Sequence, residues 1–276
     1  MRRRTSLATL AMVVLVLLAG CGGSPRGSSS ASPAAPAPVS QLTSVPATPS
    51  PTAAPSPSSA TRSGVPAALR GTDWTHLPTT RKVVALTFDG GASDTAVGAI
   101  LRTLETEDVP ATFFLTGDFA RRFPAQVQRI AAAGHVLGNH SNTHPDFTTL
   151  TNSAIRAQLS AASSAIRAAS GARRQAVLPV PVRGTYGGRH RLVNAAGYVP
   201  VRWTVDTLGW KGTSGGITAQ VVVDRVLTSL RAGQIVLMHV GANPDDGSTL
   251  DAEALPRMIK ELRARGYAFV TLRAML

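Results

Sequence analysis

The sequence has little of several features that would reveal its class directly. It contains one cysteine, Cys21, in 276 residues, and a lone cysteine excludes an internal disulfide. Its 28 lysines and arginines form no run interleaved with aromatic residues, which make up only 5% of the chain, so nucleic acid is not expected as a partner. The apolar run from Leu7 to Leu18 is too short for a comfortable membrane span.

Acidic residues are missing from the first 70 positions. The formal net charge is +13, and six of the arginines lie before Gly71, so the remaining chain carries 22 basic against 15 acidic residues, or +7. Because this excess is spread along the sequence, it suits an anionic envelope or polysaccharide surface better than nucleic acid.

The N-terminus has the pattern of an export signal. Three arginines precede the apolar run, which ends in Leu-Ala-Gly-Cys at Cys21. This end resembles the lipobox of bacterial lipoproteins, which implies a signal peptide over residues 1–20 and a lipid on Cys21. A free thiol and a plain secretory signal are the alternatives. We expect a protein that is lipid-anchored at the extracytoplasmic face of the cell membrane.

Two further segments follow. Residues 21–70 are nearly all Ser, Ala, Pro, Thr and Gly, a composition that predicts a disordered tether with a span on the order of 40 Å. Residues 71–276 have the length of one folded domain.

The domain alternates strand-like apolar runs with amphipathic stretches. The predicted strands are 82–88, 111–115, 175–180, 198–206, 234–239 and 267–272, and the predicted helices are 96–107, 124–134, 152–171, 189–197, 217–233 and 251–266. Repeated β then α with short connections predicts a parallel sheet covered by helices, either open or closed into a barrel.

Three polar residues stand where predicted strands end. Asp89 follows "VVALTF", Asp206 follows "VRWTV", and His239 closes "IVLMH". The carboxyl ends of parallel strands meet at one edge of a sheet, where barrels and open sheets both build their sites. We therefore expect these three side chains to converge.

The stretch "GNHSNTH" contains a second candidate group. His140 and His144 are four residues apart, a spacing that puts two imidazoles on one helix face or around a tight turn and that suits a divalent ion. Taken alone, such a pair is more often a polar turn. Together with Asp89 and His239, it supplies the parts of metal-assisted hydrolysis: activated water, base and acid.

The motifs "LTFDGG", "GNHSNTH", "WTVDTLGW" and "IVLMH" resemble, in order and spacing, those of the polysaccharide deacetylase (NodB-homology) family. The resemblance covers about residues 82–276. It implies a distorted (β/α) barrel and a divalent metal, usually zinc, that catalyses removal of N-acetyl or O-acetyl groups from glycans. It implies these roles: Asp89 as base, His239 as acid, His140 and His144 as metal ligands, Leu237 and Trp210 as the acetyl groove, and the backbone N–H near Val182 as an oxyanion donor.

Three positions depart from the family pattern, and each loses a charge. Gly90 stands where a second acid is commonly the third metal ligand, Pro179 where an arginine orients the base, and Gly209 where an acid tunes the catalytic histidine. A metal held by two histidines alone should bind more weakly than one with three or four protein ligands.

Nearby residues are candidates for these lost roles. Asp94 is a candidate third metal ligand, or else the cap of the following helix. Asp206 is a candidate to orient His239, and Arg183 to reach the base.

The competing hypothesis is a glycan-binding lipoprotein that kept the fold and lost turnover. The three lost charges favour it, whereas the retention of base, acid and both histidines favours catalysis. We expect a monomeric hydrolase acting on peptidoglycan or chitooligosaccharide.

Overall fold

The structure is a computed structural model that describes residues 65–171, 178–179 and 189–276. The predicted signal peptide with Cys21, nearly all of the predicted tether, and Val182 and Arg183 lie outside the described residues. Within the described part of the chain, no helix is long and apolar enough to cross a membrane.

The described part of the chain forms seven strands, seven α-helices and four short 3-10 helices. The strands are β1 Val83–Gly90, β2 Thr112–Leu115, β3 Val136–Asn139, β4 Leu178–Pro179, β5 Val205–Asp206, β6 Gln234–His239 and β7 Ala268–Phe269. The helices are α1 Val97–Thr106, α2 Gly117–Arg122, α3 Pro124–Ala132, α4 Asn152–Ser170, α5 His190–Ala195, α6 Ala219–Thr228 and α7 Leu250–Ala264.

All strand pairs are parallel, in the order β4-β3-β2-β1-β6-β5, and β7 pairs with the first two residues of β1. Every residue of β1 is buried, as expected for a strand covered on both faces. The parallel β/α architecture is therefore confirmed, with the barrel-like wrapping of helices that the sequence predicts.

Alternation along the central strands divides the interior into two clusters. Val84, Leu86 and Phe88 of β1 face the larger cluster, which α1, α3, α6 and α7 cover, whereas Val83 and Ala85 face a second, smaller cluster. Because side chains alternate along a strand, Asp89 points to the same side as the smaller cluster. That side of the sheet carries the site described below.

Two elements were not predicted from the sequence. β3 contains Gly138, where an added Cβ would lie 2.6 Å from Phe114 Cε1, so the close approach of the Phe114 ring requires glycine in this strand. α2 has only six residues and begins behind Thr116, whose side chain accepts a hydrogen bond from the Phe119 N–H. A helix this short has no readable periodicity.

Two predicted boundaries differ from the observed ones. The strand predicted over 198–206 is reduced to β5, with an isolated bridge between Trp74 and Val201 before it. Val65 and Leu69 are buried in the smaller cluster, so the folded part includes residues before position 71.

Candidate active site

The sheet register places two of the predicted residues side by side. Asp89 in β1 is the direct partner of His239, the last residue of β6. Both side chains lie on the face of the sheet that packs against the smaller cluster. Leu237, two residues before His239 in β6, lies on the same face. The prediction that strand-end residues converge therefore follows from register and alternation together.

A cleft of about 720 Å³ opens at this edge of the sheet. Seven predicted site residues line it: Asp89, His140, His144, Asp206, Trp210, Leu237 and His239. The lining also includes Arg202 and Trp203, which sequence reasoning missed because they lie inside the segment predicted as a strand. Their basic and aromatic side chains flank the acidic and imidazole groups.

Asp89 is buried at the base of the cleft. Burial raises the pKa of its carboxyl to about 7, His239 opposes the rise, and Asp206 adds to it. Its Oδ2 lies 3.3 Å from Nε2 of His140, and among the described residues its buried Oδ1 has no hydrogen-bond partner. A carboxyl with a pKa near neutrality is suited to act as a general base.

A tight turn, rather than a helix, brings His140 and His144 together. Ser141 and His144 have φ of 62° and 58°, in the left-handed region, and Ser141 Oγ accepts a hydrogen bond from the His144 N–H at 3.0 Å. Gln158 Oε1 accepts the N–H groups of Asn142 and Thr143. The two rings end 4.5 Å apart, centroid to centroid. Helix α4 thus holds the turn through Gln158.

The donor chemistry of this corner fits a divalent ion. Two imidazoles with a carboxylate close by are ligands that zinc accepts, and the unpartnered Asp89 Oδ1 leaves one oxygen available to water or ligand. Across residues 65–171 and 189–276, no three side chains of His, Cys, Asp or Glu form a ready metal cluster. An ion held by His140 and His144 would leave coordination positions for water or substrate.

The structure does not bring Asp94 to the cleft. It is not among the residues lining the cleft, and its Oδ2 accepts a hydrogen bond of 2.9 Å from Gln126 Nε2 in α3. Nor does its side chain cap α1, which begins behind Ala96 without a side-chain cap. Asp94 instead ties the loop after β1 to α3.

Gly90 is built into the packing. A Cβ at this position would lie 2.7 Å from Leu115 Cδ2 and 3.2 Å from Val240 Cγ2, so a side chain here would point into apolar surroundings. The second acid expected by resemblance has no room in this backbone.

Gly90→Asp should therefore fail to create a third metal ligand. We expect it to lower the free energy of unfolding by about 1–3 kcal/mol through overpacking, with no gain in metal affinity. Gly91→Asp is the matched control, since nothing lies within 4 Å of a Cβ there. Thermal unfolding and zinc titration of both variants provide the measurement. Tighter zinc binding by Gly90→Asp alone would contradict the expectation.

The carboxylate that contacts His239 is Asp251, which sequence reasoning missed. Asp251 Oδ2 accepts a hydrogen bond from the backbone N–H of His239 at 2.9 Å and lies 3.5 Å from the ring Nδ1 of His239. Asp206, predicted for this task, accepts the Leu208 N–H and lies 3.5 Å from Trp210 Nε1. The available signal was an acid in "STLDAE", twelve residues after His239, which reads as an ordinary first-turn residue of a helix.

Burial by itself lowers the pKa of His239. The contact with Asp251 and the charges of Asp89 and Asp206 outweigh this, so the pKa of His239 is raised above its ordinary value. The ring is therefore better suited than an ordinary imidazole to hold a proton and donate it.

Several known proteins resemble this chain. A model of the polysaccharide deacetylase family matches residues 76–201. The chain is 33% identical over 202 residues to a peptidoglycan-N-acetylglucosamine deacetylase of Bacillus cereus, covering 72% of this chain and 70% of the relative. It is 35% identical over 192 residues to a chitooligosaccharide deacetylase of Sinorhizobium fredii, covering 67% and 87%. A solved CE4 family pseudoenzyme from Bacillus anthracis is 30% identical with a TM-score of 0.63, covering 71% and 65%.

Proposed function

Because the chain belongs to the polysaccharide deacetylase family, we propose that it is a metal-dependent hydrolase that removes N-acetyl groups from cell-envelope glycan. One observation carries the proposal: β1 and β6 hold Asp89 directly beside His239, in a cleft that His140 and His144 also line. A base, an acid and two nitrogen ligands at one sheet edge are the groups that amide hydrolysis requires.

The side chains divide the proton transfers between them. Asp89 takes a proton from the attacking water, and His239 donates one to the departing sugar nitrogen, so the products are acetate and a free amine. When bound at His140 and His144, a divalent ion such as zinc supplies Lewis acidity to the acetyl carbonyl. In the metal-free site the pKa of Asp89 is raised to about 7 and the pKa of His239 is raised above its ordinary value, the directions that a base and an acid need.

The walls of the cleft suit an acetylated sugar. Leu237 is buried, Trp210 is exposed, and both line the cleft with His239, where they offer apolar surface to the acetyl methyl group. Trp203 and Arg202 extend the lining on the same side, where an aromatic ring stacks on a sugar face and a guanidinium meets an anionic polymer.

Peptidoglycan is the first choice of substrate and chitooligosaccharide the second, the two glycans named for the relatives. A lipid on Cys21 and the Ser/Ala/Pro-rich tether would hold the domain at the extracytoplasmic face of the membrane, within reach of the wall. The net positive charge of residues 71–276 supports an anionic envelope as the working surface.

The test is acetate release by the purified full-length chain on peptidoglycan and on chitooligosaccharide. We expect release that a chelator abolishes and zinc restores, and that His140→Ala loses by at least about 100-fold because one of two imidazole ligands is gone. Glycan binding without acetate release at any metal concentration would instead identify a binding module on this fold.

A further inference from the structure

We propose that Asp251, at the start of α7, is the positioning residue that holds the ring of His239 for proton donation. The proposal rests on the proposed function, in which His239 is the proton donor. In the family pattern an acid directly before the tryptophan tunes the catalytic histidine, and in this chain that position is Gly209. The proposal assigns the same task to a residue of α7.

The contacts of Asp251 fix both of its oxygens. The residue is only 3% exposed. Oδ2 accepts a hydrogen bond from the backbone N–H of His239 at 2.9 Å and lies 3.5 Å from the ring Nδ1 of His239. Thr207 Oγ1 lies 2.7 Å from Oδ1. Thr207 Oγ1 also lies 3.0 Å from the Leu237 carbonyl oxygen, so its one hydrogen is shared between that oxygen and the carboxyl group of Asp251. The carboxyl group therefore lies beside the edge of the His239 ring that bears Nδ1, at ion-pair distance, and the His239 side chain, about a quarter exposed, lines the cleft.

Gly209 provides the space that this carboxylate needs. A Cβ added to Gly209 would lie 2.5 Å from Asp251 Cγ and 2.8 Å from Oδ2, closer than real Cβ contacts come. The φ angle of Gly209 is not in the left-handed region, so glycine serves here for space and not for backbone conformation. Asp251 can therefore occupy its observed position only because residue 209 has no side chain.

An ordinary helix-start role does not account for these contacts. Acids in the first turn stabilise a helix through its N-terminal N–H groups, and α7 has a second such residue, Glu253, which is exposed. The oxygens of Asp251 instead bond to His239 and Thr207, which lie outside α7.

Three carboxylates face His239: Asp89 from β1, Asp206 from β5 and Asp251 from α7. Asp89 and Asp206 act on it through space, whereas Asp251 is in contact with it. Removing Asp251 alone should therefore change both the orientation of the ring and its proton affinity.

The experiment compares Asp251→Asn with Glu253→Gln, which removes the same charge from the same helix turn. We expect Asp251→Asn to lower kcat about 10- to 100-fold and to move the alkaline limb of the kcat/KM profile about one pH unit lower, with Glu253→Gln unchanged. Gly209→Ala should act in the same direction, since its methyl group displaces the carboxylate. Gly209→Ala is the second variant, to be used if Asp251→Asn does not fold.

An NMR titration of the His239 ring in the wild type and the variants makes the result independent of turnover. A fall in the ring titration midpoint in Asp251→Asn supports the positioning role even where no acetate is released, a result that would count against the proposed function alone. If the midpoint and the alkaline limb stay unchanged while only the melting temperature falls, Asp251 is a structural residue and the proposal is wrong.

Discussion

Asp89→Asn should lower kcat/KM for acetate release by about 1,000-fold and yet make the metal-free protein more stable. The activity falls because the carboxylate is the group positioned to accept a proton from water, and general bases contribute about 10²–10⁴-fold. The amide keeps the shape of the side chain, so the cleft and the neighbouring His239 stay in place. Steady-state acetate release at pH 7 measures the loss.

The stability effect of Asp89→Asn follows from the pKa of the carboxyl. In the unfolded chain Asp89 loses its proton near pH 3.8, whereas burial holds the proton in the folded state up to about pH 7. The folded state thus binds more protons at Asp89 in this window, and the contribution of this carboxyl to wild-type stability falls as pH rises from about 4 to about 7. Asparagine removes this cost, so the variant should gain up to about 4 kcal/mol above pH 7.

Asp94→Asn is the matched control for both readouts. It removes a carboxylate five residues away that is bonded to Gln126 outside the cleft, so activity should stay within about twofold of wild type. Denaturant unfolding with a chelator present, at pH 4, 6 and 8, measures the stability difference. If Asp89→Asn were equally stable or less stable than wild type at pH 8, burial of the ionised Asp89 carboxylate would not be what destabilises the folded state.

The residues that the sequence located correctly are those set by strand periodicity. "VVALTF" and "QIVLMH" are continuous apolar runs, which fixes them as strands buried on both faces, and a polar residue at the end of such a run must lie at the sheet edge. Asp89 and His239 are therefore placed by the pattern alone. Their direct pairing needed the register between β1 and β6, which the structure supplies.

The residues that the sequence located badly depend on packing between distant elements. Gly138 lies within β3, where the Phe114 ring leaves no space for a side chain, and nothing in "HVLGN" predicts that contact. Asp94 is an acid close to the base along the chain, yet Gln126 of α3 draws it away from the cleft. For Asp94, closeness to Asp89 along the sequence did not predict closeness in the fold. For Gly138, the deciding contact comes from a neighbouring strand.

Gly209 shows how a departure from a family pattern misleads when it is interpreted alone. An acid missing before Trp210 indicates a lost function, but the space of its side chain is filled by Asp251 from α7. A substitution and its compensation lie 42 residues apart, and only the folded chain brings them together. Gly90 differs, since its missing side chain is replaced by Leu115, Phe119 and Val240, all apolar.

His239→Asn should lower kcat/KM for N-acetylglucosamine oligomers by about 10²–10⁴-fold, but should affect an aryl acetate far less. An amine leaves poorly unless it is protonated, whereas a nitrophenolate leaves without a proton donor, so only the amide substrate depends on the acid. Acetate release from both substrates, compared as a ratio, measures this dependence.

The pH profile gives the same prediction a second form. Since Asp251 and the other carboxylates raise the pKa of His239, wild-type activity on the amide should fall with rising pH only above the ordinary imidazole range, and this alkaline limb should be absent from His239→Asn. His190→Asn is the control, because His190 pairs with Asp73 at 2.6 Å and does not line the cleft. An equal loss on amide and aryl ester, with the limb retained, would show that His239 holds the shape of the cleft and that another group delivers the proton.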